Sequence, residues 1–220
     1  MTSHPPPIEQ SQAHDKEGVI KFDLHFKHAG SPALDNIAEL NAWRQILYCL
    51  RLTGNDPNRY QGLSYGNVSK RTGKHSFIVS GTQTGAKKHL TPNDYCHVLD
   101  FDLGKNRVYA EGVIEPSSEA LTHGALYAAN PTIECVLHAH SPSIWHHAAR
   151  LGIYQTDPDI AYGTPEMAQA VVGVAKNLEL GLIAMGGHED GIVSFADTVW
   201  KAAIELIQCL AKAEELRLLA

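Results

Sequence analysis

The chain has 220 residues, with 18 Lys and Arg against 24 Asp and Glu, for a formal net charge of −6. No run of Lys and Arg is dense enough to follow a phosphate backbone, which argues against a nucleic-acid surface. No apolar run approaches the roughly 20 residues of a bilayer span. At 44% hydrophobic and 19% charged, the composition suits one globular domain with its own core.

In chain order, residues 1–17 are polar and proline-rich and lack the apolar h-region of a secretory leader, so they read as a flexible tail ahead of a single domain spanning 18–220. "GVIKFDLHF" (18–26) alternates like an edge strand. Ile37, Leu40, Trp43, Leu47 and Leu50 recur at helical spacing over 36–52, and Asn36 with Glu39 fits a capping box. A strand-rich stretch follows: "LSYGNVSKR", "HSFIVSG", "YCHVLDFD" and "NRVYAEG", punctuated by turn residues. A helix is expected from Ser118 to Ala129, where Asn130-Pro131 stops it.

"IECVLHAH" reads as a buried strand and "PSIWHHAARL" as a short helix. Thr164 with Pro165 opens a helix reaching about Asn177. "LGLIAM" and "GIVSF" form a hairpin joined by "GGHEDG". A last helix begins at Asp197 as N-cap, with Val199, Trp200, Ala203, Ile204, Ile207 and Leu210 on one face. The sum is an α/β fold: one layered α/β/α domain around a mostly antiparallel sheet. Cys49, Cys96, Cys135 and Cys209 are scattered without a CxxC, like small core residues of a reducing cytoplasm.

Thirteen histidines are the compositional oddity, and two of them stand one residue apart in "VLHAHSP". On a strand, His138 and His140 point to the same face, about 6–7 Å apart at the backbone, close enough to share a metal. A strand cap plus a core hydrogen bond is the plainer reading of that pair alone. His188 lies in a glycine-bounded turn that can bring an imidazole against another element, or simply to solvent. Glu119, His123 and Tyr127 share one helix face at i, i+4 and i+8. Ser117 and Ser118 sit beside the unpaired N–H groups of a helix start, which suits either an N-cap or a bound phosphate or carboxylate.

Taken together, "GNVS" (66–69), "EPSSE" followed by His123 and Tyr127, "HAHS", and a later histidine after glycine resemble the class II aldolase/adducin family, from about Ile37 to the C-terminus. The family includes L-fuculose-1-phosphate aldolase and L-ribulose-5-phosphate 4-epimerase. The resemblance implies that His138, His140 and His188 ligate a divalent ion, most often Zn2+, with Mn2+, Co2+ or Fe2+ as alternatives. It makes Glu119 a metal-side carboxylate and the catalytic acid/base. It assigns Asn67, Ser117, Ser118 and the "SGTQTG" turn, best matched at Thr84-Gly85, to substrate phosphate. It further implies a cyclic homotetramer acting as a metal-dependent lyase, cleaving a small, phosphorylated ketose or hydroxy-carbonyl compound reversibly through a metal-stabilised enediolate. Glutamate after the paired serines matches the aldolases, since the epimerases carry aspartate there.

Epimerase, dehydratase or decarboxylase chemistry on the same scaffold is the alternative, as is a noncatalytic adducin-like assembly domain, although adducin-type members lack the histidine set. The chain departs from the pattern in three places, one of them the "SGTQTG" turn, where Ser80-Gly81 and Thr84-Gly85 compete. Glu189 and Asp190 separate His188 from its glycine, where they could orient an imidazole or face solvent. The stretch after His140 is short, leaving Tyr154 as the nearest candidate for the tyrosine that reaches a neighbouring subunit's site.

Overall fold

The computed structural model describes residues 18–176 and 178–219; the expected tail at 1–17, and Asn177 at the expected end of a helix, lie outside them. The strands are β1 (Asp23–His28), β2 (Gly54–Asn55), β3 (Ser64–Tyr65), β4 (Asn67–Arg71), β5 (Phe77–Ser80), β6 (Tyr95–Asp102), β7 (Arg107–Gly112), β8 (Cys135–His140), β9 (Tyr154–Gln155), β10 (Gly181–Ala184) and β11 (Gly191–Ala196). The helices are α1 (Leu34–Cys49), α2 (Ala120–Ala129), α3 (Pro142–His146), α4 (Pro165–Ala175) and α5 (Val199–Leu218). Among the described residues, nine strands form one sheet in the order β1-β7-β6-β5-β4-β8-β11-β10-β9. Only the two outer pairs, β1 with β7 and β9 with β10, run parallel. No described helix is long and apolar enough to cross a membrane.

The core divides by the side to which each strand residue points. Cys135, Leu137 and Ala139 of β8 join Ile37, Leu40, Leu47 and Leu206 under α1 and α5. Val136 faces the other way and packs with Leu121, Leu126, Met167 and Val171 of α2 and α4. All six residues of β8 are buried, as a central strand covered on both faces requires. This strand carries the paired histidines.

Gly66 divides the expected strand "LSYGNVSKR" into two. Its φ of +80° turns the chain, and a Cβ there would sit 2.6 Å from Thr53 Cγ2. β3 therefore pairs with β2 in a small separate sheet, while β4 lies between β5 and β8.

Several termini differ from expectation. α1 starts at Leu34 with Ala33 as N-cap and no side-chain cap, so Asn36 falls inside the first turn and the Asn36–Glu39 capping box does not form. α5 is capped by Thr198, whose side chain accepts from Lys201 N–H at 3.2 Å; Asp197 instead pairs with Lys201 Nζ at 2.6 Å. The buried stripe of α5 runs through Ala202, Leu206, Cys209 and Ala213, leaving Trp200 54% exposed. Of the four free thiols, Cys49 is exposed rather than in the core.

One buried cation organises the turn after β5. The Arg44 guanidinium is 2% exposed and donates to the carbonyls of Thr84 (3.0 Å), Gly85 (2.7 Å), Lys88 (3.1 Å) and Lys87. Burial works against its charge, and carbonyl dipoles take the place of water. Arg44→Met keeps the stem and strands those carbonyls, so urea unfolding is expected to record a loss of about 3 kcal/mol. A loss below about 1 kcal/mol would mean that water replaces the guanidinium.

Candidate metal centre

The alternation of β8 puts Val136, His138 and His140 on the α2 side of the sheet. Register extends that face sideways: Asn67 of β4 and Val193 of β11 flank His138, while Gly191 lies opposite His140. His188 arrives from the turn between β10 and β11, which is closed by Met185 N–H to Gly191 O at 2.8 Å and Gly191 N–H to His188 O at 2.9 Å. A Cβ on Gly191 would stand 3.0 Å from the His188 ring, so glycine leaves the space that the imidazole fills.

The three histidines converge. One ring nitrogen from each lies within 4.8 Å of the other two, and all three residues are buried. Their ring centroids are 4.7–5.0 Å apart. His138 Nδ1 lies 3.2 Å from the Ile192 carbonyl, which only accepts, so Nδ1 carries the proton. That leaves the Nε2 lone pair, which is buried with no hydrogen-bond partner among the described residues. Burial first, and the neighbouring His188 second, hold His138 and His140 well below the usual histidine range. Uncharged imidazoles with an inward lone pair are the donor set that a divalent cation takes at about 2.0–2.1 Å. The residues fit a metal.

Glu119 occupies the N-cap position of α2 and is 1% exposed, with Oε1 4.0 Å from His188 Nδ1. The rest of its helix face does something else. His123 Nδ1 and the Tyr127 hydroxyl each meet Ser69 Oγ at 2.7 Å, tying α2 to β4 beneath the cluster. Of the three residues on that face, Glu119 stands against His188, and His123 is near enough to help depress His138.

Asn67, Thr84, Gly85, Ser117 and Ser118 do line one cavity, beside Gln83. Its volume is about 20 Å³, room for about one water. Gln83 Oε1 accepts from Ser64 N–H and Oγ at 3.3 and 3.1 Å, and Thr84 Oγ1 donates to the Gly81 carbonyl at 2.8 Å. A phosphate therefore enters only if this lining opens. Beside this turn, Lys87 Nζ pairs with Asp94 at 2.5 Å.

Glu189 is exposed and Asp190 fully buried, so the two inserted carboxylates part ways. Asp190 Oδ2 accepts from the Tyr60 hydroxyl at 2.6 Å and from Arg59 Nη2. Burial and the Asp190 carboxylate push the Tyr60 hydroxyl upward, keeping it a donor. The Tyr60 ring stands edge-on to His140, centroids 4.6 Å apart, and Tyr65 lies 5.2 Å away on the same imidazole. On His188, Tyr162 stacks at 4.4 Å, with Lys21 Nζ 3.9 Å above the Tyr162 ring. Tyr154 is outside this group: it is 52% exposed and pairs with Ile183 at the sheet edge. Sequence reasoning missed Arg59, Tyr60, Ser69 and the stacking role of Tyr162. Only Ser69, two residues beyond Asn67 on one strand face, offered a usable signal.

The profile of the class II aldolase and adducin N-terminal domain matches residues 44–216. The chain belongs to that family. No curated protein matches it. Among solved structures, the sugar-phosphate aldolase from Thermotoga maritima is 16% identical with a TM-score of 0.64, over 84% of this chain and 95% of the other. The L-fuculose-1-phosphate aldolase from Thermus thermophilus is 18% identical at TM-score 0.63, over 84% and 93%. YgbL from Escherichia coli, described as one of aldolase, epimerase or decarboxylase, is 16% identical at 0.63, over 83% and 88%. At these identities the likeness is one of fold. The class II aldolase fold and a buried three-histidine cluster are thus established together.

Burial pushes His123 down to about 3. Between the ordinary histidine value of about 6.5 and that point, the unfolded chain binds a proton that the folded chain refuses, so stability falls as pH falls. The contribution approaches about 1.4 kcal/mol per pH unit in that window. His123→Gln is expected to be less stable at pH 7 but to lose Tm more slowly than the parent from pH 6.5 to 4.5. Equal slopes would show that His123 takes up its proton in the folded chain.

Proposed function

We propose that this family member is a divalent-metal-dependent lyase that cleaves and re-forms a carbon–carbon bond in a small hydroxylated carbonyl compound. One observation carries the reading: three buried imidazoles within 4.8 Å of one another, with a buried carboxylate 4.0 Å from the nearest. An adducin-like assembly role makes no use of such a group, and burying it without a ligand costs the desolvation of the His138 lone pair.

His138, His140 and His188 would hold the ion, with zinc favoured and Mn2+, Co2+ or Fe2+ compatible with the same nitrogens. When bound, it supplies Lewis-acid stabilisation of the negative charge that gathers on the substrate oxygens as the bond breaks. Glu119 removes the proton from the carbon beside the carbonyl in the bond-forming direction and returns it after cleavage. Its place at the start of α2 holds the carboxylate against the cluster without a flexible loop.

Asn67, Thr84, Gly85, Ser117 and Ser118 anchor the far, anionic end of the substrate, phosphate in the manner of the sugar-phosphate relatives. That anchorage fixes which carbon faces Glu119. The assembly fitting this reading is a cyclic homotetramer in which the half-exposed Tyr154 is offered to a neighbouring copy.

The test is proton exchange. Zinc-loaded protein is incubated in deuterated water with dihydroxyacetone, its phosphate and pyruvate, and exchange is followed by NMR. Exchange into at least one donor is expected, with Glu119→Gln slower by about 10²–10⁴-fold at unchanged zinc content. Undiminished exchange in Glu119→Gln would overturn the proton-carrying role, and equal exchange in metal-free protein would overturn the metal.

A further inference from the structure

Arg59, Tyr60 and Asp190 play no part in the proton transfer, yet they are built against the cluster. Asp190 follows His188 by two residues, is fully buried, and holds both the Tyr60 hydroxyl and Arg59 Nη2. Tyr60 lies between the guanidinium and His140, its ring centroid 5.2 Å from Arg59 Cζ and 4.6 Å from the His140 ring. Holding this arrangement puts three non-glycine residues in left-handed backbone: Tyr60 (φ 49°), Gln61 (φ 56°) and Asp190 (φ 60°). Such strain persists only where the surroundings over-determine it, and it gathers at ligand clamps.

The ion pair uses only part of Arg59. Among the described residues, neither Nη1 nor Nε has a protein acceptor, and the side chain remains 32% exposed. It lines a cavity of about 230 Å³ together with His140 and Tyr65, and this cavity shares no lining residue with the one at Ser117 and Ser118. Arg51 also borders it, as do two carboxylates, Asp56 and Glu214. Both are engaged, Asp56 Oδ1 by Asn58 N–H at 2.9 Å and Glu214 by Ser143 Oγ and by Arg217 Nε at 2.8 Å.

We infer that Arg59 determines specificity, its unused N–H edge recognising a carboxylate of the substrate in the cavity beside His140, so that the substrate is a hydroxy- or oxo-acid. Every two-donor edge of a guanidinium includes Nη2, and Nη2 keeps a second N–H beside the one given to Asp190, so that N–H with Nη1 or Nε next to it matches the two oxygens of a carboxylate. With Asp56 and Glu214 offsetting Arg51 and Arg59, the lining has no net positive charge to hold a second negative charge, which favours a carboxylate monoanion over a phosphate dianion. Asp190 is the positioning residue, fixing the guanidinium and Tyr60 in register with His188. The inference rests on the metal-lyase reading of the same cluster.

Three probes test it by calorimetry on zinc-loaded protein: acetohydroxamate, which only chelates; malonomonohydroxamate, which adds a carboxylate; and phosphoglycolohydroxamate, which adds a phosphate. Wild type is expected to bind the carboxylate probe at least about tenfold more tightly than acetohydroxamate, the worth of one charge-assisted hydrogen bond. Arg59→Gln is expected to abolish that preference and leave acetohydroxamate binding unchanged. Should loss of the Asp190 partner prevent folding, Arg59→Lys keeps a cation for Asp190 without the planar edge, and the same loss is expected.

No preference in wild type, a preference surviving in both variants, or an Arg59-dependent preference for the phosphate probe would each overturn the inference. Failure of acetohydroxamate to bind zinc-loaded wild type would instead remove the metal reading, and this inference with it.

Discussion

Three buried imidazoles packed with their nitrogens within 4.8 Å of one another are the constraint around which the rest is arranged. Rings so close and so buried cannot all hold protons, because each charge would face the desolvation of the interior and its neighbours' repulsion. The fold resolves this by holding His138 and His140 neutral. One tautomer is set by the Ile192 carbonyl, and the lone pair is left pointing where a cation can use it. An unprotonated imidazole keeps the lone pair that a metal ion would take in competition with protons, so a neutral cluster and metal affinity go together.

Each element delivers one part of the centre because of its geometry. A central strand gives two histidines on one face, and a glycine opposite His140 leaves room for the third. A helix start gives the carboxylate. Beneath them, Ser69 ties His123 and Tyr127 together, so α2 cannot slide along β4 without breaking two buried hydrogen bonds. Around the rim, aromatic rings from the segment after α1 and from the segment before α4 hold the imidazoles in place. Stiffness here serves electrostatic preorganisation: the groups that would meet developing charge need not move to do so.

The two histidines of β8 were legible in the sequence because strand alternation forces i and i+2 to one face, whatever else the chain does. The hairpin that brings His188 was legible from its glycines, and the helix carrying Glu119 from Asn130-Pro131 at its far end. What periodicity could not supply was the partner of each group across space. "NDPNRYQG" has the composition of any loop, and nothing local says that Tyr60 lies on His140 or that Arg59 meets Asp190. The termini failed for a related reason. Asp197 and Thr198 are both good N-caps, and the choice went to the residue whose backbone was already extended, while Asp197 paired with Lys201. Trp200 shows that a hydrophobic residue at helical spacing can face outward when smaller neighbours, Ala202 and Ala203, fill the contact.

The direct measurement of the central claim is X-ray absorption on protein reconstituted with zinc and freed of excess. Convergence of the three imidazoles predicts one zinc per chain and a first shell with three nitrogens at about 2.0–2.1 Å, carrying imidazole multiple scattering. His138→Ala should lower the imidazole count and the occupancy together. Substoichiometric zinc, or a shell of oxygens without imidazole scattering, would contradict it.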